Sequence, residues 1–225
     1  VIAHRGLHRG DPAKENTRDA IEAALESSAD GLEVDLQQLV DGRFVLHHDD
    51  QLDPDRFDVS SPRPLNAMSL EEIRDAGGTG ILSLEDVFEL DWNDKDFVFE
   101  CKPSRNRYAY VRALLQRLQT LSPPDRFLFS SSDPVLLRQL SQRIGPRSLA
   151  PVISRYDPSN QALKESPNWA EYHVRVDLCL TDAFENYEWF PEQTVSWTVN
   201  DDSRRRKLER IGIKGIMTDD PSFLP

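Results

Sequence analysis

The sequence predicts an α/β protein folded as a TIM (β/α)8 barrel, with a short insertion after its second strand. Three observations predict it. Short apolar runs alternate with longer amphipathic ones along most of the 225 residues, as parallel strands joined by crossover helices require. The strand-like runs number eight, near residues 1, 32, 97, 126, 149, 177, 195 and 215. Polar residues gather where these runs end, which is where a barrel places its chemistry. A doubly wound open sheet is the competing architecture, but it normally carries a glycine-rich loop after its first strand, and none is present here.

The elements follow in order. Val1–Ala3 is a strand stub ending in His4-Arg5-Gly6. Glu15–Ser28 carries Ala20, Ile21, Ala23, Ala24 and Leu25 at helical spacing, with Asn16 placed to cap it and Asp19 in the first turn. Gly31–Leu39 alternates as a strand, and Phe44–His47 is a second short strand after the Asp41-Gly42 turn. Residues 49–83, rich in Asp and Pro with a Gly-Gly pair, break the rhythm. They are expected to be an insertion lying over the main body, with one short helix at Ser69–Ala76, inside a single domain spanning 1–225.

The alternation then resumes with helix Leu84–Leu90, strand Phe97–Cys101, helix Arg107–Leu121, strand Arg126–Phe129 and helix Pro134–Arg143. Strand Leu149–Ile153, a helix near Asn160–Glu165, a strand within Val176–Thr181 and a helix at Ala183–Trp189 come next. Strand Thr194–Val199, helix Ser203–Ile211 and strand Gly215–Thr218 complete the set.

Charge and composition narrow the partners. With 27 cationic and 39 anionic residues the net charge is −12, so nucleic acid is not an expected partner. No run of 18 apolar residues occurs, and stable membrane insertion is not expected. Cys101 and Cys179 sit in apolar runs without metal-ligand spacing and read as buried thiols. No signal-peptide pattern is visible, and the expected location is cytoplasmic. The basic run Arg204–Lys207 reads as a solvated helix face balanced by Asp201, Asp202 and Glu209.

The strand ends carry the functional argument. Glu33 and Asp35 lie two apart on one strand and share a face, as do Glu100 and Lys102 on another. Three carboxylates converging inside a barrel repel unless neutralised, and a hard divalent cation, Mg²⁺ or Ca²⁺, is the natural counter-charge for such oxygens. His4 and His48 both close strands near one mouth and suit a general acid–base pair, whereas alternation turns His47 away and His8 and His173 lack supporting context. Arg5 and Lys102 suit phosphate binding. Glu15 and Asn16 are expected to organise the first βα loop, and Asp219-Asp220 to cap or support rather than ligate metal. Phosphodiester cleavage uses all of these parts.

The segments His4-Arg5-Gly6, Glu15-Asn16-Thr17, Gly31-Leu32-Glu33-Val34-Asp35, His48-Asp49 and Leu84-Glu85 stand in a definite order. Glu100-Cys101-Lys102, Trp197-Thr198-Val199-Asn200 and Thr218-Asp219-Asp220-Pro221 continue it. In this order the chain resembles the glycerophosphodiester phosphodiesterases, densely over residues 1–102 and 194–221. The resemblance implies a TIM barrel that hydrolyses glycerophosphodiesters to sn-glycerol 3-phosphate and an alcohol. It implies His4 and His48 as the acid–base pair, and Glu33, Asp35 and Glu100 as ligands of one Ca²⁺ or Mg²⁺. Arg5 and Lys102 would hold the phosphate of a small-molecule substrate, and Trp197 would line its pocket. Two relatives in kind stand beside it: a sphingomyelinase D-like lipase using the same residues, and a non-catalytic phosphate-binding barrel, which would need no acid–base pair.

Overall fold

In the computed structural model, which describes residues 1–92, 94–121, 126–156, 163, 168–182, 184 and 190–223, strand β1 (Ile2–His4) opens the chain. Helix α1 (Arg18–Glu26), strand β2 (Gly31–Gln38) and strand β3 (Phe44–Leu46) follow. A small hairpin of β4 (Gln51–Leu52) and β5 (Arg63–Pro64), then α2 (Leu70–Asp75) and α3 (Leu84–Phe88), lead to β6 (Asp96–Cys101). The remaining units are α4 (Arg107–Leu121), β7 (Phe127–Ser131), α5 (Pro134–Ile144), β8 (Leu149–Ile153), β9 (Tyr172–Arg175) and α6 (Val176–Cys179), and then β10 (Thr194–Trp197), α7 (Asp202–Ile211) and β11 (Gly215–Thr218).

Eight strands pair in parallel around a closed ring, β1-β2-β6-β7-β8-β9-β10-β11, with β11 returning to β1 through Ile2↔Met217. This is the predicted TIM barrel. A ninth strand, β3, runs antiparallel to the outer half of β2 through Leu36↔Leu46 and Gln38↔Phe44. No helix among the described residues is long and apolar enough to cross a membrane.

Alternation along each strand separates two environments. On β6, Phe97, Phe99 and Cys101 face the helices and are fully buried, while Glu100 faces the barrel axis. The outward rings of Phe99 and Phe127 stack on Phe88, and Trp92 meets Phe97 and Phe127 edge-on, with Trp92 and Phe97 centroids 4.3 Å apart. Burying each such side chain contributes about 2–3 kcal/mol. The apolar core therefore lies between strands and helices, leaving the barrel interior free for polar residues.

The segment after β3 has a core of its own. Leu52, Leu65, Met68, Ile73 and Ile81 cluster with Leu39 and Val45, apart from the barrel core, which takes Phe44 and Leu46 from the same strand. Ser69 and Ser83 each cap the helix that follows with a complete capping box, to Glu72 and Asp86.

Two expectations need correction. The sixth barrel strand is Tyr172–Arg175, not a strand within Val176–Thr181. Val176 and Cys179, three residues apart, are buried on one side of a helical turn while Asp177 is exposed, so their spacing imitates a strand only on paper. Asn16 does not cap α1. It has φ 58°, and Thr17 caps instead, its hydroxyl accepting from the Ala20 N–H. The helices expected at Asn160–Glu165 and Ala183–Trp189 fall outside the described residues, apart from Leu163 and Phe184, both buried.

Candidate active site

The first strand ends in a sharp turn. Arg5 and Gly6 both adopt left-handed backbone, with φ 55° and 83°. A Cβ at Gly6 would sit 2.8 Å from the Ala20 carbonyl, so only glycine fits against α1. The left-handed conformation costs Arg5 about 1–2 kcal/mol. Its contacts hold it there: the guanidinium lies 2.7 Å from Glu15 and 3.2 Å from Asp35, and its N–H donates to Glu33 Oε2 at 3.2 Å. Asn16 uses its whole amide on Asp35. Its Nδ2 donates to Oδ2 at 2.8 Å, and its Oδ1 accepts from the Asp35 N–H at 2.9 Å. Glu15 and Asn16 thus organise the loop as expected, by binding site residues rather than by capping.

Glu33 and Asp35 on β2 and Glu100 on β6 bring carboxylate oxygens within 4.8 Å of one another. Lys102, just past β6, lies among them with Nζ 2.6 Å from Asp35 Oδ1 and 3.1 Å from Glu100 Oε2. The charges split the carboxylates into two kinds. Burial, reinforced by the charges of Asp35 and Glu100, pushes Glu33 well above the usual carboxylate range. Burial acts on Asp35 too, but Lys102 and Arg5 outweigh it and hold Asp35 far below that range. Glu33 Oε1 is buried without a hydrogen-bond partner, whereas Asp35 is surrounded by cations and Asn16.

The two predicted histidines face one cavity of about 160 Å³ at the C-terminal ends of the strands, together with Arg5, Glu33, Glu100, Lys102 and Trp197. Asp35 is the one predicted site residue that does not line it, because it lies behind Arg5 and Lys102. His4 Nδ1 is 2.7 Å from Asp219 Oδ1, which turns its other ring nitrogen away from that carboxylate. Asn200 Nδ2 donates to Asp219 Oδ2 at 2.6 Å, and buried His8 places Nε2 3.2 Å from Oδ1. Burial opposes ionisation of Asp219, but the hydrogen bonds from His4 and His8 hold it far below the usual range. His48 is half-exposed, with Nδ1 2.8 Å from Asp49 Oδ1. His47 turns to the other side against Phe57, as alternation requires.

Asp219, expected to cap or support, holds His4, and Asn200 just past β10 braces it. Other participants were not anticipated. His8 and His173 gave no local signal, and His173 was further hidden by the misplaced sixth strand. Ser130, Ser132 and Ser154 also line the cavity, and serines at strand ends carry no pattern that separates them from ordinary loops. The Trp197 Nε1 and Ser130 Oγ atoms are buried there without hydrogen-bond partners. The Arg204–Lys207 run is paired as expected: Arg205 and Arg206 each reach Asp202, at 2.5 and 2.6 Å. Cys101 and Cys179 are free and buried.

Comparison with known proteins places this geometry in context. The model of the glycerophosphoryl diester phosphodiesterase family matches residues 4–222. The glycerophosphodiester phosphodiesterase of Caldanaerobacter subterraneus subsp. tengcongensis is 29% identical over 241 residues, covering 100% of this chain and 95% of the relative. The glycerophosphodiester phosphodiesterase of Bacillus altitudinis is 28% identical, covering 98% of this chain and 94% of the relative. Among solved structures, an Oleispira antarctica phosphodiesterase in complex with the product sn-glycerol-3-phosphate superposes with a TM-score of 0.83 at 22% identity, over 100% of this chain and 94% of that one. The glycerophosphodiester phosphodiesterase of Thermotoga maritima gives 0.77 at 23% identity, over 98% and 94%. At these identities the structures show the barrel fold.

Proposed function

The chain belongs to the glycerophosphoryl diester phosphodiesterase family, and from that premise we propose that it hydrolyses glycerophosphodiesters to sn-glycerol 3-phosphate and an alcohol by metal-dependent acid–base chemistry. One observation carries the proposal. Two histidines, two cations and three carboxylates from four separate segments converge at the strand ends, all but Asp35 lining one cavity. A phosphate-binding barrel alone would have no use for a histidine backed by a half-buried carboxylate.

The donor set fits a hard cation. Glu33, Asp35 and Glu100 offer only oxygen, and Glu33 Oε1 is buried with no protein partner. These three residues would hold one Mg²⁺ or Ca²⁺. When bound, such an ion supplies positive charge against the phosphoryl oxygens. The chain's own cations add to it: Arg5 presents a fixed fork, held by Glu15 and Asp35, and Lys102 a point charge.

His4 and His48 share the proton transfers. One imidazole takes the proton from the attacking hydroxyl, and the other gives a proton to the departing alkoxide. Asp219 holds the His4 ring by Nδ1, so that Nε2 serves the reaction, and it stabilises the imidazolium in either role. Trp197 offers its unpartnered Nε1–H at the cavity wall. Residues 49–83 act as an insertion that frames one side of the mouth within a single domain. Arg56 from this segment donates to the Ala13 carbonyl on the first βα loop at 3.1 Å, which ties the two sides together.

The test is release of sn-glycerol 3-phosphate from glycerophosphocholine and glycerophosphoethanolamine, with Mg²⁺ or Ca²⁺ and with EDTA. Metal-dependent release is expected from at least one of them. Absence of release under every metal condition would overturn the proposal.

A further inference from the structure

The turn after β1 carries a histidine with no part in the proton transfers above. Leu7 N–H donates to the Ala20 carbonyl at 2.8 Å and Arg9 N–H to the Asp219 carbonyl at 2.9 Å, which pins the intervening His8 against the end of β11. The His8 side chain is 2% exposed, and neither ring nitrogen has a well-aligned hydrogen-bond partner. Its Nε2 lies 3.2 Å from Asp219 Oδ1, the oxygen that His4 Nδ1 approaches to 2.7 Å. Each of the three residues thus brings a ligand atom within 4.8 Å of the other two.

A buried imidazole without a good partner is costly unless something bound there satisfies it. One nitrogen of a neutral ring always keeps a free lone pair. Where that lone pair faces a carboxylate, a cation between the two satisfies both. We propose that His4, His8 and Asp219 form a second metal site, which takes Zn²⁺ rather than Mg²⁺ or Ca²⁺. Two imidazoles and a carboxylate are the donors of a three-ligand zinc site with one position left open. Nitrogen sets this site apart from the all-oxygen trio of Glu33, Asp35 and Glu100. Tetrahedral zinc spaces its nitrogen and oxygen donors about 3.3 Å apart. The His8–Asp219 spacing already matches, and His4 has to recede by only about half an ångström. Asp219 is 18% exposed, which gives an ion a way in from solvent.

Bound there, Zn²⁺ takes the Nδ1 lone pair of His4, and the proton of that nitrogen moves to Nε2. A ring so held has no lone pair at Nε2 to receive a proton and cannot become imidazolium. Occupancy therefore stops turnover. That consequence rests on the acid–base reading of His4, whereas the site rests on its geometry alone.

Calorimetric titration of Zn²⁺ into the chain in excess Mg²⁺ tests the site in wild type, His8→Ala, His8→Gln and Glu33→Ala, beside wild-type and His8-variant turnover over the same Zn²⁺ range. The wild type is expected to bind a single Zn²⁺ ion and to lose turnover with the same midpoint. His8→Ala and His8→Gln should weaken Zn²⁺ at least about 10-fold and shift the midpoint of inhibition by the same factor, each against its own zinc-free rate. Glu33→Ala should hold Zn²⁺ within about 3-fold of the wild type. Should neither His8 variant fold, Co²⁺ added to the Mg²⁺-saturated wild type decides, through the strong visible absorption of a four-coordinate ion. No Zn²⁺ binding beside Mg²⁺, only the weak absorption of six-coordinate Co²⁺, unchanged Zn²⁺ affinity in the His8 variants, or an equal loss in Glu33→Ala would each overturn the proposal. Zn²⁺ bound as expected with wild-type turnover unaffected would leave the site standing and sink the acid–base reading of His4. A chain that binds Zn²⁺ in this pattern but releases nothing from either diester would sink the enzymatic reading alone.

Discussion

His4 Nδ1 and Asp219 Oδ1, 215 residues apart in sequence, lie 2.7 Å from each other where the first and last barrel strands meet. Closure of the ring is what makes this pair, so the orientation of His4 depends on the seam between β1 and β11. Asp219→Asn is expected to lower turnover about 10²–10⁴-fold with the melting temperature little changed. The side chain keeps its shape, but the negative charge that stabilises the His4 imidazolium is lost, and with its oxygen accepting from Asn200 the new amide turns an N–H toward His4 Nδ1 and reverses the tautomer. Steady-state kinetics beside a thermal melt reads this, and turnover within a factor of three of wild type would remove Asp219 from the mechanism.

His4→Ala and His48→Ala should each lower turnover about 10²–10⁴-fold while circular dichroism stays that of the folded barrel. His48 is half-exposed and its replacement opens no cavity in the core, so its loss reports on chemistry more cleanly. Undiminished activity in His48→Ala would refute the paired acid–base assignment.

EDTA is expected to abolish activity, and Mg²⁺ or Ca²⁺ to restore it. Glu33→Ala should be inactive at every metal concentration and should bind the cation at least about 10-fold more weakly by calorimetry. Metal binding to Glu33→Ala with wild-type affinity would show that the ion, if required, is held elsewhere.

Acid stability should depend on Glu171. Burial raises its proton affinity, but the hydrogen bond from His173 and the charge of Lys214 outweigh this and bring it from the ordinary 4.5 to about 2. The folded protein therefore binds fewer protons here than the unfolded chain between these values. The stabilisation, about 3 kcal/mol, is complete above about pH 5 and is lost as pH falls toward 2. In Glu171→Gln the slope of unfolding free energy against pH should be shallower over that window, as measured by urea titrations from pH 2.5 to 6. An unaltered slope would mean that the pair does not carry the acid limb.

The barrel was legible because its pattern is redundant: seven of eight strand sites were placed correctly from alternation alone, and a closed ring tolerates one misplacement. The eighth failed for a physical reason. The inner face of β9 carries His173, with Glu171 just before the strand, while the helical turn after it is apolar, so hydrophobicity pointed one element too late. The site was legible where residues share a strand, as with Glu33 and Asp35 or Glu100 and Lys102, since a two-residue spacing fixes a common face. It was illegible where partners meet only through closure. Asp219 for His4, and Ser130 with His173, are joined by no local spacing at all.

Strand β3 sends Phe44 and Leu46 into the barrel core and Val45 into the small core beneath residues 39–81. That single strand is a bulkhead. Met68 and Ile73, on the far side, belong to a core that shares no residue with the one around the ring. Such a partition lets residues 49–83 change in length and packing without drawing on the apolar layer that closes the ring.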